Sequence, residues 1–145
     1  VLTLEKQKNV KIVVSRDRID LKDTVNFETA KAVIKEESFD LLDQAVQILV
    51  DYPEIQKLRI EGHTDSRGSA SYNLKLSTER AASVMAYFVD KGIDAERLTS
   101  DGYGEERPLD PAKTAEAYAK NRRVDFFIEE WDESKGSKVI EVAPE

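Results

Sequence analysis

The stretch that most constrains this chain is residues 59–80, R-I-E-G-H-T-D-S-R-G-S-A-S-Y-N-L-K-L-S-T-E-R. Leu58 and Ile60 alternate with polar residues as a strand does, and Gly62 to Gly68 reads as a polar turn. From about Ser69 the pattern becomes helical and runs to Lys91, with Gly92 as its C-terminal cap. A strand, a loop and a helix in succession commit the chain to mixed α and β packing. They also crowd charged and hydrogen-bonding side chains at one join. In α/β proteins ligands bind outside the carboxyl ends of strands, where loops and helix starts converge.

The helix carries a second message. On a wheel of about 100° per residue, Leu74, Ala81, Val84, Met85 and Phe88 share one broad face, the expected core side. Asn73, Ser77 and Arg80 fall on that same side. The inward stripe is therefore apolar at its C-terminal end and polar over its first turns. A buried arginine without a partner is costly. Two explanations stay open: Arg80 pairs with a fixed internal acid, or it lines a pocket open to solvent. Asp65 supplies the nearby acid. It reads as a turn or capping residue, as the internal partner of Arg80, or as a second wall of that pocket. In the last case the two offer one anionic and one cationic anchor. That pair suits a ligand with both an ammonium and a carboxylate, such as an amino acid end group.

The rest of the chain builds that place. Residues 9–15 are β-rich, and residues 18–27 alternate Ile19, Leu21, Val25 and Phe27 as one or two further strands. Residues 38–51 place Phe39, Leu41, Leu42, Ala45, Val46, Ile48 and Leu49 at helical spacing, and Tyr52-Pro53 stops that helix. Strands are expected over 57–63, 99–104 and 121–131, a short helix from Ala112, and an edge strand over 139–142. The expected fold is α+β: a two-layer sandwich with a mixed sheet, helices on one face and a partly wet opposite face that suits the charges inside the strands.

Composition removes several functions. The chain has 145 residues, the length of one domain, with 40% apolar and 35% charged residues. No run approaches the roughly 20 apolar residues of a membrane-spanning helix. Cysteine is absent, which removes disulfides, thiol catalysis and Cys-based zinc sites. Net charge is −7 without an evident basic patch, so nucleic acid is not an expected partner. His63, the single histidine, reads as structural, and with Asp65 it makes at most two metal ligands. The loop G-H-T-D-S-R-G lacks the G-K-[ST] ending of a phosphate loop. No serine has an evident base, so no catalytic residue, cofactor or metal is expected, and the chain does not read as an enzyme. Residues 129–145 hold six acids and two lysines and read as a solvated tail. The chain opens V-L-T-L-E-K-Q without Met and reads as a piece of a longer protein.

Six segments in a fixed order carry a resemblance: F-E-T at 27–29, I-E-G-H-T-D-S-R-G at 60–68, N-L-K-L-S-T-E-R-A-A-S-V at 73–84, G-Y-G at 102–104, P-L at 108–109 and N-R-R-V at 121–124. Together they resemble the OmpA-like peptidoglycan-binding domain, the family of the outer membrane protein A C-terminal domain, the peptidoglycan-associated lipoprotein and the periplasmic part of MotB. The similarity covers residues 10–130, within an expected domain of residues 1–131 and a tail of 132–145. It implies a βαβαβ-type sandwich in the periplasm of a Gram-negative envelope. It further implies noncovalent binding of peptidoglycan through the meso-diaminopimelate of its stem peptide, tethering an outer-membrane or envelope protein to the wall. The resemblance assigns the grip on diaminopimelate to Asp65 and Arg80. It adds Asn73, Leu76 and Ser77 from the helix, Arg122 from N-R-R, and Thr64 and Arg67 from the loop. One position departs from the pattern: Ala30 stands where relatives often place an Asn or Ser that contacts the ligand. Ala30 and the acidic tail leave an alternative, an envelope interaction module with a weakened pocket that binds protein partners.

Overall fold

The computed structural model describes residues 12–135. Along the chain come β1 (Val13–Val14), β2 (Arg18–Asp20), α1 (Phe39–Asp51), β3 (Ile55–His63), α2 (Ala70–Asp90), β4 (Leu98–Gly102), α3 (Ala115–Asn121) and β5 (Arg123–Trp131). The strands form one five-stranded sheet in the order β1-β2-β5-β3-β4. Its β3–β4 pair is parallel, and β1–β2, β2–β5 and β3–β5 are antiparallel, so the sheet is mixed as expected.

Strand alternation divides the sheet into two unlike faces. Leu58 and Ile60 of β3, Leu98 of β4, Phe126 of β5 and Ile19 of β2 meet Leu42 and Leu49 of α1 and Val84 and Phe88 of α2 in one core. The Phe88 and Phe126 rings stack there at 5.7 Å. Residues of the opposite register, Arg59, Glu61 and His63, lie across from Phe127, Asp125 and Arg123 of β5. Arg59 binds Glu61 and Glu129 there, both at 2.7 Å. The charges inside the strands thus sit on the face away from the core.

Two glycines set how closely α2 approaches. Gly62 of β3 and Gly102 of β4 are register partners. A Cβ at Gly62 would collide with the Ser77 carbonyl, and one at Gly102 with the Thr78 backbone and hydroxyl. Helix backbone therefore rests directly on sheet backbone beside the strand ends. The helix is closed at both ends by local chemistry: the Ser69 hydroxyl accepts from Tyr72 N at 3.1 Å, and Gly92 takes φ 103° after the last turn.

Several expected elements shift. Leu74 is 44% exposed, because the buried stripe is Asn73, Ser77, Ala81, Val84 and Phe88, and Leu74 sits at its margin; Met85 is half-buried. Phe39 is also partly exposed and stacks on Tyr87 at 5.5 Å. Only Arg18–Asp20 of residues 18–27 forms a ladder strand, while Phe27 makes an isolated bridge to Ile34. β4 stops at Gly102, and Tyr103-Gly104 continues as a turn with Gly104 at φ 57°. α3 starts at Ala115, where the Thr114 hydroxyl caps Ala117 N, and Asn121 ends this helix instead of opening β5. The edge strand expected over 139–142 and the acidic tail from 136 lie outside the described residues.

Candidate functional site

The loop after β3 is held by a set of hydrogen bonds that run to α2 and to the G-Y-G turn. Thr64 N donates to Gly104 O at 2.8 Å, and the Thr64 hydroxyl donates to Asp65 O. The buried Ser77 hydroxyl accepts from Gly104 N at 2.9 Å. Asn73 Nδ2 donates to Arg67 O at 2.9 Å, to Asp65 O at 3.3 Å and to Glu105 Oε1 at 3.0 Å. Thr64, Asn73 and Ser77 therefore help position the loop, and none of them is among the lining residues of the cleft beside it. Leu76 is half-buried on α2, also outside the cleft walls.

Beside this loop lies a cleft of about 490 Å³, within the size range of small-ligand sites. Phe27, Thr29 and Ala30 form one wall, and Arg67, Arg80 and Arg122 project from the others. Arg123 and His63 line it as well. These residues are far apart in sequence, and the adjacency of β2, β5 and β3 brings them together.

Arg80 settles one open question. Its Nε donates to Lys31 O at 2.8 Å and its Nη2 to Glu28 O at 3.3 Å, and its guanidinium lies 4.8 Å from the Phe27 ring. Among the described residues no carboxylate pairs with it. Burial pushes its pKa down, and Arg122 adds to that. Arg80 is thus a half-buried cation held by carbonyls in a cleft wall, not the partner of an internal acid.

Asp65 pairs elsewhere. Its Oδ1 accepts from Arg67 N at 2.9 Å and Arg67 Nε at 3.2 Å; its Oδ2 accepts from Arg67 Nη2 at 2.7 Å and Arg122 Nη1 at 2.9 Å. It is 6% exposed and is not among the residues lining the cleft. Burial alone would raise the carboxyl, but the hydrogen bonds from Arg67 and Arg122 outweigh it and hold the pKa at about 2. Four donors occupy the roughly four lone-pair positions of a carboxylate. The charged side chains that line the cleft are Arg67, Arg80, Arg122 and Arg123, with no acid among its described lining residues, so its surface is cationic in a chain of net charge −7.

Sequence spacing missed a second cluster. Glu61, His63 and Asp125 bring ligand-type atoms within 4.8 Å of one another on the charged sheet face. The alternation of Glu61 and His63 was readable, but Asp125 joins them only through the β3–β5 register. His63 Nε2 lies 3.3 Å from Glu61 Oε1 and 3.6 Å from Asp125 Oδ2, and its ring stacks on Tyr103. Desolvation, then Arg123, lowers the His63 pKa, so the ring is neutral near pH 7. Arg59 and Arg107 flank Glu61, and Arg123 and Arg18 flank Asp125. A divalent cation entering there would meet four guanidinium groups, so these residues do not suit one.

Among the described residues no helix is long and apolar enough to cross a membrane. The OmpA family pattern matches residues 26–122, which include Phe27, Ala30, Arg67, Arg80 and Arg122 of the cleft wall. The chain is 44% identical over 102 residues to outer membrane protein A of Bordetella avium, covering 70% of this chain and 52% of that protein. The chain therefore spans about half the length of that relative. Its structure is similar to the peptidoglycan-associated lipoprotein from Burkholderia pseudomallei, with TM-score 0.66, 29% identity, and coverage of 74% of this chain and 91% of that one. It is also similar to the cell wall anchor of the T6SS from Pseudomonas aeruginosa, with TM-score 0.68, 28% identity, and coverage of 86% and 90%. A family pattern of this extent, laid over the strand, loop and helix that build the cleft, makes the chain a member of the OmpA family.

Proposed function

We propose that this domain binds peptidoglycan noncovalently through the meso-diaminopimelate of the stem peptide and anchors an envelope protein to the cell wall. The observation that carries this reading is Arg80: a half-buried guanidinium in a cleft wall, with no carboxylate partner among the described residues. Such a group is expensive to keep unless a ligand carboxylate completes it. Arg122 and Arg67 add cationic surface beside it.

The ammonium of diaminopimelate is assigned to Asp65. Because that carboxylate is already engaged, binding exchanges one guanidinium for the ligand. Arg67 is the freer of the two, with its side chain 59% exposed against 44% for Arg122. Asn73, Ser77 and Thr64 act in this reading by fixing the loop, and Leu76 by packing near it. The wall is a polymer, so modest affinity at one site suffices when many tethered copies engage it. The names of the lipoprotein from Burkholderia pseudomallei and the anchor from Pseudomonas aeruginosa support the wall-anchoring part of this reading, and with the outer membrane protein A relative they support an outer-membrane or periplasmic setting for the parent protein in a Gram-negative envelope.

Pull-down on purified sacculi tests this. Arg80→Ala and Asp65→Ala should each weaken binding by about 2–5 kcal/mol, enough to leave the protein in the supernatant. Circular dichroism controls for folding. Full retention of both folded variants on sacculi would overturn the assignment.

A further inference from the structure

A second cleft of about 270 Å³ adjoins the first. The two share Thr24, Val25, Arg123 and Val124 as a common wall. The second continues past them to Leu109 and Lys120. Its acids are already engaged: Asp20 pairs with Lys22 at 3.4 Å, Asp23 accepts from Thr24 N at 2.8 Å, and Asp125 holds Arg123 at 2.9 Å. The lining holds four cations, Arg18, Lys22, Lys120 and Arg123, against three acids, Asp20, Asp23 and Asp125, so the net charge of this cleft is positive, and Lys120 has no ion pair or hydrogen bond among the described residues.

Its apolar wall is also built. Leu109 is 64% exposed, yet the loop that carries it is fixed. The buried Asn121 accepts from Leu109 N at 2.7 Å and from Asp110 N at 3.1 Å, and donates to Asp110 O at 2.8 Å. With its backbone pinned this way, Leu109 loses only side-chain freedom when a ligand arrives, and the loop itself needs no ordering. Val25 and Val124 complete the apolar surface.

We propose that this second cleft is a subsite for the residue flanking diaminopimelate in the wall peptide, taking a methyl group against Leu109 and a free carboxylate at Lys120. The inference rests on diaminopimelate occupying the first cleft. A peptide advances about 3.3–3.6 Å per residue, so a neighbour bonded to diaminopimelate crosses the shared wall directly. Two flanks of the stem carry this chemistry: a terminal D-alanine, which has both groups on the flanking residue, and the L-alanyl-γ-D-glutamyl side, where the flanking D-glutamate offers the carboxylate and L-alanine, one residue further, the methyl.

Isothermal titration calorimetry with three ligands separates them: meso-diaminopimelate alone, L-Ala-γ-D-Glu-meso-diaminopimelate, and meso-diaminopimelyl-D-alanine. One extension should tighten binding by about fivefold to tenfold, on the order of 1 kcal/mol. Lys120→Gln and Leu109→Ser should each remove that gain while leaving the affinity for diaminopimelate alone within about twofold. Both residues are exposed, so both variants should keep the fold. The subsite is overturned if neither extension improves on diaminopimelate, or if the gain survives both substitutions. Failure of all three ligands to bind the wild-type domain would sink the diaminopimelate reading as well.

Discussion

Ala30 lines the cleft at φ 57°, a left-handed conformation that costs an L-residue other than Gly, Asn or Asp about 1–2 kcal/mol. Asn tolerates this conformation and would add an amide to the cleft wall. Ala30→Asn should therefore raise stability by up to about 1 kcal/mol in urea unfolding. In the reading proposed here it should also tighten diaminopimelate binding by calorimetry. Ala30→Gly separates the two effects. It relieves the backbone but adds no donor, and the extra freedom of glycine in the unfolded chain offsets about 0.4–1 kcal/mol of the relief. Asp65 shows where residue-level reading ends. Its place in the loop and its charge were legible, but its partners were not. Arg67 follows two residues later, in easy reach, while Arg122 arrives from 57 positions away. No periodicity encodes that second contact.

At the scale of elements, the β3–α2–β4 unit depends on the Gly62–Gly102 pair. Gly62→Ala or Gly102→Ala would push α2 off the sheet and should cost about 1–3 kcal/mol or more, because the obstacle is helix backbone and cannot rotate away. Gly92→Ala meets no atom within 4 Å and should cost only the roughly 1 kcal/mol of a left-handed cap. Thermal or urea unfolding of the three variants should reproduce that order. The sequence announced α1 and α2 well, because an amphipathic stripe is a local, repeating signal. Inside α2 the polar start of the stripe was read correctly: Asn73 and Ser77 are buried, and both hold the loop and turn beside the cleft. Leu74 was not, since hydrophobicity alone cannot say which side of a stripe's margin meets the core. The short strand β2 and the late start of α3 were also misplaced by a few residues. β2 stops at Asp20, just before Lys22 turns the backbone at φ 60°, and α3 starts at the Thr114 cap; neither end is set by apolar spacing.

For the whole molecule, two acid transitions are expected in separate windows. The folded-state pKa of His63 lies below its ordinary 6.5, from burial first and then from Arg123, with Glu61 and Asp125 opposing. The unfolded chain therefore takes up that proton first as pH falls. Stability is full above about 6.5 and declines below it, by at most about 1.4 kcal/mol per pH unit. Asp65 titrates in a lower window. Its folded pKa of about 2 lies below the ordinary 3.8, so its contribution, on the order of 2 kcal/mol, is present above 3.8 and is lost as pH falls toward 2. Urea midpoints between pH 7.5 and 5 should drop for the wild type and flatten for His63→Gln. A wild-type midpoint constant over that range would show that His63 is not held neutral. The sequence by itself determined the element types, the mixed α and β class, the family pattern and the polar start of α2, because each rests on local spacing or on an ordered set of motifs. Only the tertiary structure decided that Asp65 is held by Arg67 and Arg122 while Arg80 faces a cleft, and that Glu61, His63 and Asp125 meet. These contacts depend on the β2–β5–β3 adjacency and register, which join segments dozens of residues apart through space, where no sequence period reaches.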